Sequence, residues 1–253
     1  MSDDSSAESD IQPYVSSLRD LIGTSAPKSR DSGQPILAFR DVCLPEAKGT
    51  FSLELMPGEV ALFRASAQSH LPELANIAMG LSEPECGSVE FLGQAWPEMD
   101  VVDVMSYRGL IGRVYAPRGQ ARWLENQDLD ENVMVAAHFR EGTTRESVVE
   151  RADEIGNRFG FDHLPQTRPA VTPERDLTRA QWVRAFLPEP LELLVLDRPG
   201  FGVREADLTM WAKEIEQARE EGAAVLWIDM DPGELEQQGV KVTHRFDEAT
   251  GGI

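Results

Sequence analysis

The stretches LELLVLDRPGFG at residues 191–202 and GAAVLWIDMDP at residues 222–232 decide the fold class of this sequence. Each contains a run of apolar residues that ends on an aspartate, a pattern typical of a strand buried on both faces of a sheet. Between them, residues 206–221 carry apolar side chains at helical spacing. A buried strand, a helix and a second buried strand indicate a βαβ unit, and therefore a mostly parallel sheet.

The pattern continues toward the N-terminus and through the middle of the chain. Apolar residues at every second position predict antiparallel strands, and a compact apolar run predicts a buried strand. A serine cap and a proline in the first turn favour the start of a helix. The predicted elements are strands at 36–44 and 50–56, a buried strand at 60–63, a helix at 69–81 capped by Ser69, a strand at 86–93 and a helix-rich segment at about 130–187.

The composition excludes several classes of protein. At 253 residues the chain is long enough to bury a large core, and 41% hydrophobic with 27% charged residues is ordinary for a globular protein. No run of about 18 apolar residues occurs, so no membrane span is expected. A formal net charge of −20 predicts repulsion of nucleic acid and of anionic membrane surfaces.

Two cysteines, Cys43 and Cys86, lie far apart and lack metal-ligand spacing. In a presumed cytosolic protein we expect them to be reduced, packed thiols.

Residues 1–35 are rich in Ser, Asp, Gly and Pro and are predicted to be a disordered acidic leader. The leader lacks the basic and apolar regions of a secretory signal. One stretch has apolar residues at helical spacing, and it is either a short docking helix or a transient helix without a partner. These apolar residues are Ile11, Tyr14, Val15, Leu18, Leu21 and Ile22.

Three segments together resemble the ATP-binding-cassette (ABC) ATPase family, in the family's order and spacing, over roughly residues 36–253. The resemblance implies an α/β, P-loop NTPase-like fold: a mostly parallel RecA-like sheet with an antiparallel β-subdomain and a helical insertion. The implied core comprises 36–112 and 188–253, and the implied helical subdomain comprises 113–187. The three segments are FSLELMPGEVALF and IAMGLSEPECGSVEFLGQAW at 51–63 and 77–96, RGLIGRVYAPRGQARWLENQDLDENV at 108–133, and RAFLPEPLELLVLDRPGFG with GAAVLWIDMDP at 184–202 and 222–232.

The phosphate-binding loop of this family, the Walker A motif, is degenerate here. The chemistry requires glycines whose backbone N–H groups surround the phosphates, a Lys for their charge and a Ser or Thr for Mg²⁺. Leu71 stands at the Lys position, and Pro72 at the Mg²⁺ ligand lacks even a backbone donor. The matching residues are Ala65, Ser66, Ala67, Gln68, Ser69, His70, Leu71 and Pro72.

The other family motifs have also lost most of the residues that the family uses to bind and hydrolyse ATP. Asp197 keeps the Walker B acid, whereas Arg198 stands where the family has its catalytic Glu. The remaining motif positions are Ala116 at the Q-loop Gln, Thr172–Asp176 at the LSGGQ signature, Gly202 and Arg204 in the D-loop, and Met230 at the H-loop His.

Losing the Lys and several backbone donors predicts that ATP binds at least about a thousandfold more weakly. We therefore expect no catalytic residue and no cofactor, with ATP and Mg²⁺ bound only if an atypical site is active. Asp197 is either a vestigial metal ligand or a structural acid, and pairing with Arg198 at the metal position is one further hypothesis.

The Q-loop stretch is where family members meet a membrane-embedded transporter subunit. Aromatic and Arg side chains there are common interface anchors, although Trp123 and Leu124 are equally consistent with a core role. The predicted contact residues are Tyr115, Arg118, Trp123 and Leu124.

The sequence therefore predicts a non-catalytic ABC-like subunit, peripheral to the cytoplasmic face of a membrane. An ABC-type homodimer or heterodimer is a candidate assembly, and nucleic acid is not an expected partner. Two alternatives stay open. One is a working ATPase with an atypical site, and the other is a soluble scaffold that has left transport.

Overall fold

A computed structural model describes residues 33–44, 49–65, 71–116, 123–137, 143–200 and 203–247. Its nine strands, within those residues, form two sheets. The strands are β1 Leu37–Cys43, β2 Phe51–Leu55, β3 Val60–Arg64, β4 Cys86–Phe91, β5 Gln94–Ala95, β6 Ile111–Val114, β7 Leu193–Asp197, β8 Ala224–Asp229 and β9 His244–Asp247. The α-helices are α1 Leu71–Ala78, α2 Val101–Arg108, α3 Leu129–Met134, α4 Arg145–Arg158, α5 Glu174–Phe186, α6 Glu205–Glu220 and α7 Gly233–Gln237, with short 3₁₀ turns at Trp96–Glu98 and Pro169–Val171.

The larger sheet is parallel, in the order β6-β7-β8-β3-β9. β7 and β8 lie inside it and are buried along their whole length, because both faces of the sheet are covered. Successive residues of β7 alternate between two hydrophobic clusters. Leu194 and Leu196 face the cluster formed with α3 to α6, whereas Leu193 and Val195 face the cluster shared with α1 and the smaller sheet.

The smaller sheet is antiparallel, in the order β2-β1-β4-β5. β2 alternates strictly between buried and exposed residues, as expected for a sheet with one face on the core. The parallel sheet, the antiparallel sheet and the helical segment confirm the predicted fold class. The division into subdomains and the disordered state of the leader stay predictions, and residues 1–32, including the apolar stretch at 11–22, lie outside the described residues.

The expectation of two reduced thiols was wrong. Cys43 and Cys86 are register partners on β1 and β4, and they form a disulfide with a Cα–Cα distance of 5.0 Å. The sequence argument relied on the presumed compartment, and it had no information on which residues of the two strands would face each other.

Within the described residues, we find no helix both long and apolar enough to traverse a bilayer. The same residues contain no cluster of three or more His, Cys, Asp or Glu side chains arranged to hold a metal ion.

Candidate functional site

The carboxyl ends of the parallel strands meet at one edge of the larger sheet, where open α/β sheets bind their ligands. Asp197 ends β7 and Asp229 ends β8. The backbone N–H of Ala65 donates to the carbonyl of Asp229 at 2.8 Å, so the predicted phosphate loop leaves β3 at this edge. Its centre, residues 66–70, lies outside the described residues, and α1 begins at Leu71.

Asp197 is buried, with 5% of its surface exposed, and it is paired with its neighbour in the sequence. The Arg198 Nε lies 3.5 Å from the Asp197 Oδ1, a distance that makes the contact an ion pair rather than a well-aligned hydrogen bond. Arg198 adopts a φ of 47°, in the left-handed region that non-glycine residues rarely occupy. Burial raises the pKa of Asp197, and the charges of Arg198 and Arg113 oppose that rise. The ion pair that the sequence left as a hypothesis is therefore present.

The Asp229 carboxylate finds its hydrogen-bond donors in residues close to it in the sequence. Its carboxylate accepts hydrogen bonds from the Trp227 indole at 3.0 Å and from the backbone N–H groups of Met230 and Asp231 at 2.8 and 3.2 Å. Burial raises its pKa, against the effect of these donors. Met230, at the H-loop position, exposes 39% of its surface and offers a thioether where the family has an imidazole.

A buried arginine lies beneath α1. Arg113, on β6, is 7% exposed and donates to the Asn76 Oδ1 at 2.8 Å. Burial lowers its pKa, with smaller opposing effects from neighbouring acidic groups that include Asp197 and Glu73. The Arg113 guanidinium, on the strand that leads into the Q-loop, thus places a positive charge near this edge of the sheet. The phosphate loop itself has no lysine.

Arginine guanidinium groups stack on aromatic rings in the Q-loop stretch. The Arg113 guanidinium carbon lies 4.4 Å from the Tyr115 ring centre, and that of Arg184 lies 4.5 Å from Trp123 and 5.6 Å from Tyr115. The Tyr115 N–H donates to the buried Gln181 at 3.1 Å. These contacts join β6 to α5, and each guanidinium–ring pair stabilises the arrangement by about 0.5–2 kcal/mol.

The predicted partner residues differ in exposure. Tyr115 and Trp123 are half-buried, and Trp123 packs partly against the large core cluster. Leu124 is 49% exposed. Arg118 lies outside the described residues. The stretch thus combines a partly buried anchor with an exposed leucine, and its role in partner contact stays a prediction.

The helix that follows the signature segment begins with acidic residues. α5 starts at Glu174 after Pro173, and its first turn carries Glu174 and Asp176. A helix N-terminus binds anions through its free N–H groups and its dipole, so carboxylates in the first turn already complement that charge and repel phosphate.

α1, the helix of the phosphate loop, has the same feature. Its first turn carries Glu73, whose carboxylate accepts from the Asn76 side chain at 3.4 Å and from the Ser82 hydroxyl at 3.3 Å. Sequence reasoning missed these acids because it counted the family residues that were lost. The signal was the acid directly after Pro72 and the acids inside Thr172–Asp176.

The signature and D-loop positions are joined within the chain. Three guanidiniums converge on the Asp207 carboxylate, which is 6% exposed. Arg175, at a signature position, lies 3.2 Å from it, Arg179 lies 3.1 Å away and Arg204, at the D-loop Asp position, lies 3.2 Å away. One signature position and one D-loop position are therefore engaged in an ion-pair cluster within the chain.

Comparisons with known proteins agree with the architecture. The chain is 27% identical over 169 residues to lipoprotein-releasing system ATP-binding protein LolD 1 of Rhodopirellula baltica, covering 66% of this chain and 68% of that protein. It is 26% identical over 178 residues to putative ABC transporter ATP-binding protein MK0182 of Methanopyrus kandleri, covering 67% of this chain and 60% of that protein. No protein-family model matches the chain.

Solved structures share the fold. The dimeric bacterial ABC transporter cassette MJ0796 superposes with a TM-score of 0.69 at 18% identity, over 84% of this chain and 94% of that one. CbiO1 of Clostridium perfringens, part of the cbiONQ complex, superposes with a TM-score of 0.60 at 18% identity, over 78% of each chain.

The chain is similar in sequence to ABC transporter ATP-binding proteins and has the fold of an ABC cassette. Measured against the family's chemistry, the described residues of this ABC cassette do not fit a magnesium nucleotide. Arg198 lies against the Walker B carboxylate, Pro72 stands in the sequence at the position of the metal ligand, and Glu73 and Glu174 place acids in the first turns of α1 and α5.

Proposed function

We propose that this cassette is an ABC transporter subunit that has lost ATP binding and hydrolysis and serves a transport complex structurally or as a regulator. It would lie at the cytoplasmic face of a membrane, attached to a membrane-embedded subunit. The proposal concerns what the ABC cassette fold does in this chain, since the fold itself rests on the comparisons above.

The Asp197–Arg198 ion pair carries the proposal. In a working cassette the Walker B carboxylate faces the metal and the next residue acts as the general base. Here the base position supplies a cation 3.5 Å from that carboxylate. A divalent ion approaching Asp197 meets a fixed positive charge, and the repulsion between like charges is strong where water is excluded.

Both halves of the composite ATP site are affected. ABC cassettes pair head to tail, and each nucleotide lies between one subunit's Walker A and the other's signature. In this chain both the loop ending at Leu71 and Pro72 and the signature at Thr172–Asp176 are altered. Pairing with an intact cassette therefore impairs both sites, which favours a structural or regulatory role over an active heterodimer.

The exposed Leu124 in the Q-loop stretch supports attachment to a membrane subunit. CbiO1, a solved structural neighbour, is described as part of a transporter complex. In this chain Leu124 is 49% exposed beside the half-buried Trp123, which gives an apolar anchor at the corresponding surface.

Calorimetry with ATP and Mg²⁺ on the full chain tests the loss of nucleotide binding. We expect no binding with a dissociation constant below about 100 μM and no phosphate release above background. An intact cassette measured under the same conditions is the control. Binding tighter than that limit together with turnover overturns the proposal and favours the atypical ATPase.

Affinity purification from the source membranes tests the transport assignment. We expect a polytopic membrane protein to co-purify in stoichiometric amount and to be lost with Leu124→Ser but not with Val149→Ser, a control at an exposed apolar residue of α4. Recovery of soluble partners alone contradicts attachment and favours the scaffold alternative.

A further inference from the structure

Two neighbouring cavities lie along α4, on the two sides of one ion pair. The larger, of about 280 Å³, lies between α4, the segment 186–191 and α6. The smaller, of about 220 Å³, lies beside residues 147–154 of α4. Arg151 and Glu189 line both cavities, and the Arg151 Nη1 lies 3.3 Å from a Glu189 carboxylate oxygen. The two cavities therefore form one groove, the α4 groove, which this ion pair divides.

The two arginines of the α4 groove are bonded within the chain. The Arg151 Nε donates to the Leu187 carbonyl at 3.2 Å, and its Nη2 donates to the Pro188 carbonyl at 3.4 Å. The Arg158 Nη1 donates to the Glu214 carboxylate at 2.9 Å, and Glu214 is buried. These bonds join α4 to the segment before β7 and to α6, so the walls of the groove are held in place by the packing of the chain.

Negative charge exceeds positive charge in the α4 groove. Five carboxylates and two guanidinium groups belong to the described residues that line it. Each guanidinium pairs with one carboxylate, which leaves three carboxylates, all exposed, without a guanidinium partner in the groove. These three are Glu150, Glu154 and Glu221. The formal net charge of −20 on the whole chain adds to the attraction for cations.

Hydrocarbon surface lies between the charged groups. The stretch of α4 that lines the groove, residues 147–158, is about 16 Å long at the helical rise per residue. A ligand that follows this length meets carboxylates in both cavities and apolar side chains between them. The apolar residues of the lining are Ala137, Val148, Phe186, Leu187, Leu191 and Ala218.

We propose that the α4 groove binds a linear aliphatic polyamine. Its ammonium groups meet the three carboxylates that lack a guanidinium partner, and its methylene chain covers the apolar lining. A hard metal ion needs several oxygen ligands around one point, and the described residues contain no such cluster. The proposal goes beyond the proposed function and does not depend on whether ATP binds.

Calorimetry on the full chain at constant ionic strength tests the proposal. The probes are the triamine spermidine, the diamine putrescine, the monoamine butylamine and hexaamminecobalt(III), a compact ion with the charge of the triamine. We expect spermidine to bind with a dissociation constant below about 1 mM, putrescine to bind more weakly and butylamine not to bind. Hexaamminecobalt(III) should bind more weakly than spermidine, because its charge is concentrated at one point and it carries no hydrocarbon.

Two charge-matched double variants assign the binding to the α4 groove. Glu154→Gln with Glu221→Gln removes one charge from each cavity and keeps both arginine ion pairs, so spermidine should bind about fivefold more weakly. Glu83→Gln with Glu98→Gln removes two exposed charges on other elements and should bind spermidine like the parent protein. Amide exchange should show that spermidine protects residues 147–158 and 214–221 in the parent.

Four outcomes overturn the proposal. Equal weakening by the two double variants, or equal affinity for spermidine and hexaamminecobalt(III), shows that cations bind only through the overall charge. Absence of spermidine binding at about 1 mM removes the ligand. A Lys-rich peptide of about ten residues that binds more tightly than spermidine and needs the same two glutamates assigns the groove to a protein partner. None of these measurements uses ATP, so their failure is distinct from failure of the proposed function.

Discussion

Removing the cross-link between Cys43 and Cys86 should lower the stability of the protein by a calculable amount. The disulfide closes a sequence separation of 43 residues between β1 and β4. Loop-closure entropy in the unfolded chain then corresponds to about 4 kcal/mol at 25 °C. For a domain of this size each kcal/mol shifts the melting temperature by about 2–4 °C, so reduction should lower it by about 8–16 °C.

Thiol titration and calorimetry measure this effect. Protein purified without reductant and unfolded in denaturant should show no titratable thiol, and two should appear after a phosphine reductant. The double variant Cys43→Ser with Cys86→Ser should melt where the reduced protein melts and should not respond to reductant. Two free thiols in the unreduced protein, or an unchanged melting temperature after verified reduction, would refute the reasoning.

Three further predictions concern the sheet edge and the Q-loop stretch. Burial raises the folded pKa of Asp197 above its unfolded value of about 4, so its ionised form destabilises the protein above the folded pKa and that cost vanishes below pH about 4. In denaturant titrations Asp197→Asn should therefore be more stable than the parent at pH about 7.5 and equal to it near pH 4; a loss of stability at the higher pH contradicts this. Trp123→Ala removes one guanidinium–ring contact and part of a half-buried ring, so the melting temperature should fall by a few degrees while co-purification of the membrane partner weakens. Outright unfolding would place Trp123 in the core. Leu71→Lys and Arg198→Glu, tested singly for phosphate release, should each remain inactive because catalytic parts act as a unit, and measurable turnover by either would show that the loop geometry survives.

The parallel sheet could be predicted because strands that are buried on both faces appear in the sequence as continuous apolar runs. Leu193–Asp197 and Ala224–Asp229 are continuous apolar runs that end on an acid, whereas a half-exposed strand alternates between apolar and polar residues. The helix between them was predicted at 206–221 and lies at Glu205–Glu220, because apolar side chains at helical spacing indicate an amphipathic helix.

The side-chain arrangement at the site could not be predicted in the same way. Arg184 lies between Trp123 and Tyr115, about 60 to 70 residues away in the chain, and helical periodicity carries no information about such a contact. The cysteine pairing depends on the register of β1 against β4, which includes an irregularity between Arg40 and Cys43. Motif comparison identified which family residues are missing, but it could not show that Arg198 lies against Asp197.

The arginine cluster on Asp207 makes the altered signature hard to reverse one step at a time. Replacing Arg175 by the family's glycine removes two of the hydrogen bonds to a buried carboxylate without creating a phosphate site, because Glu174 and Arg204 remain. Asp207 keeps Arg179 and Arg204 as partners after this change, and the Arg175 side chain is 45% exposed, so the protein should lose at most about 1 kcal/mol of stability. The cluster therefore ties the signature and D-loop positions to folding stability, and a single return to the family's residue weakens the fold without restoring a nucleotide site.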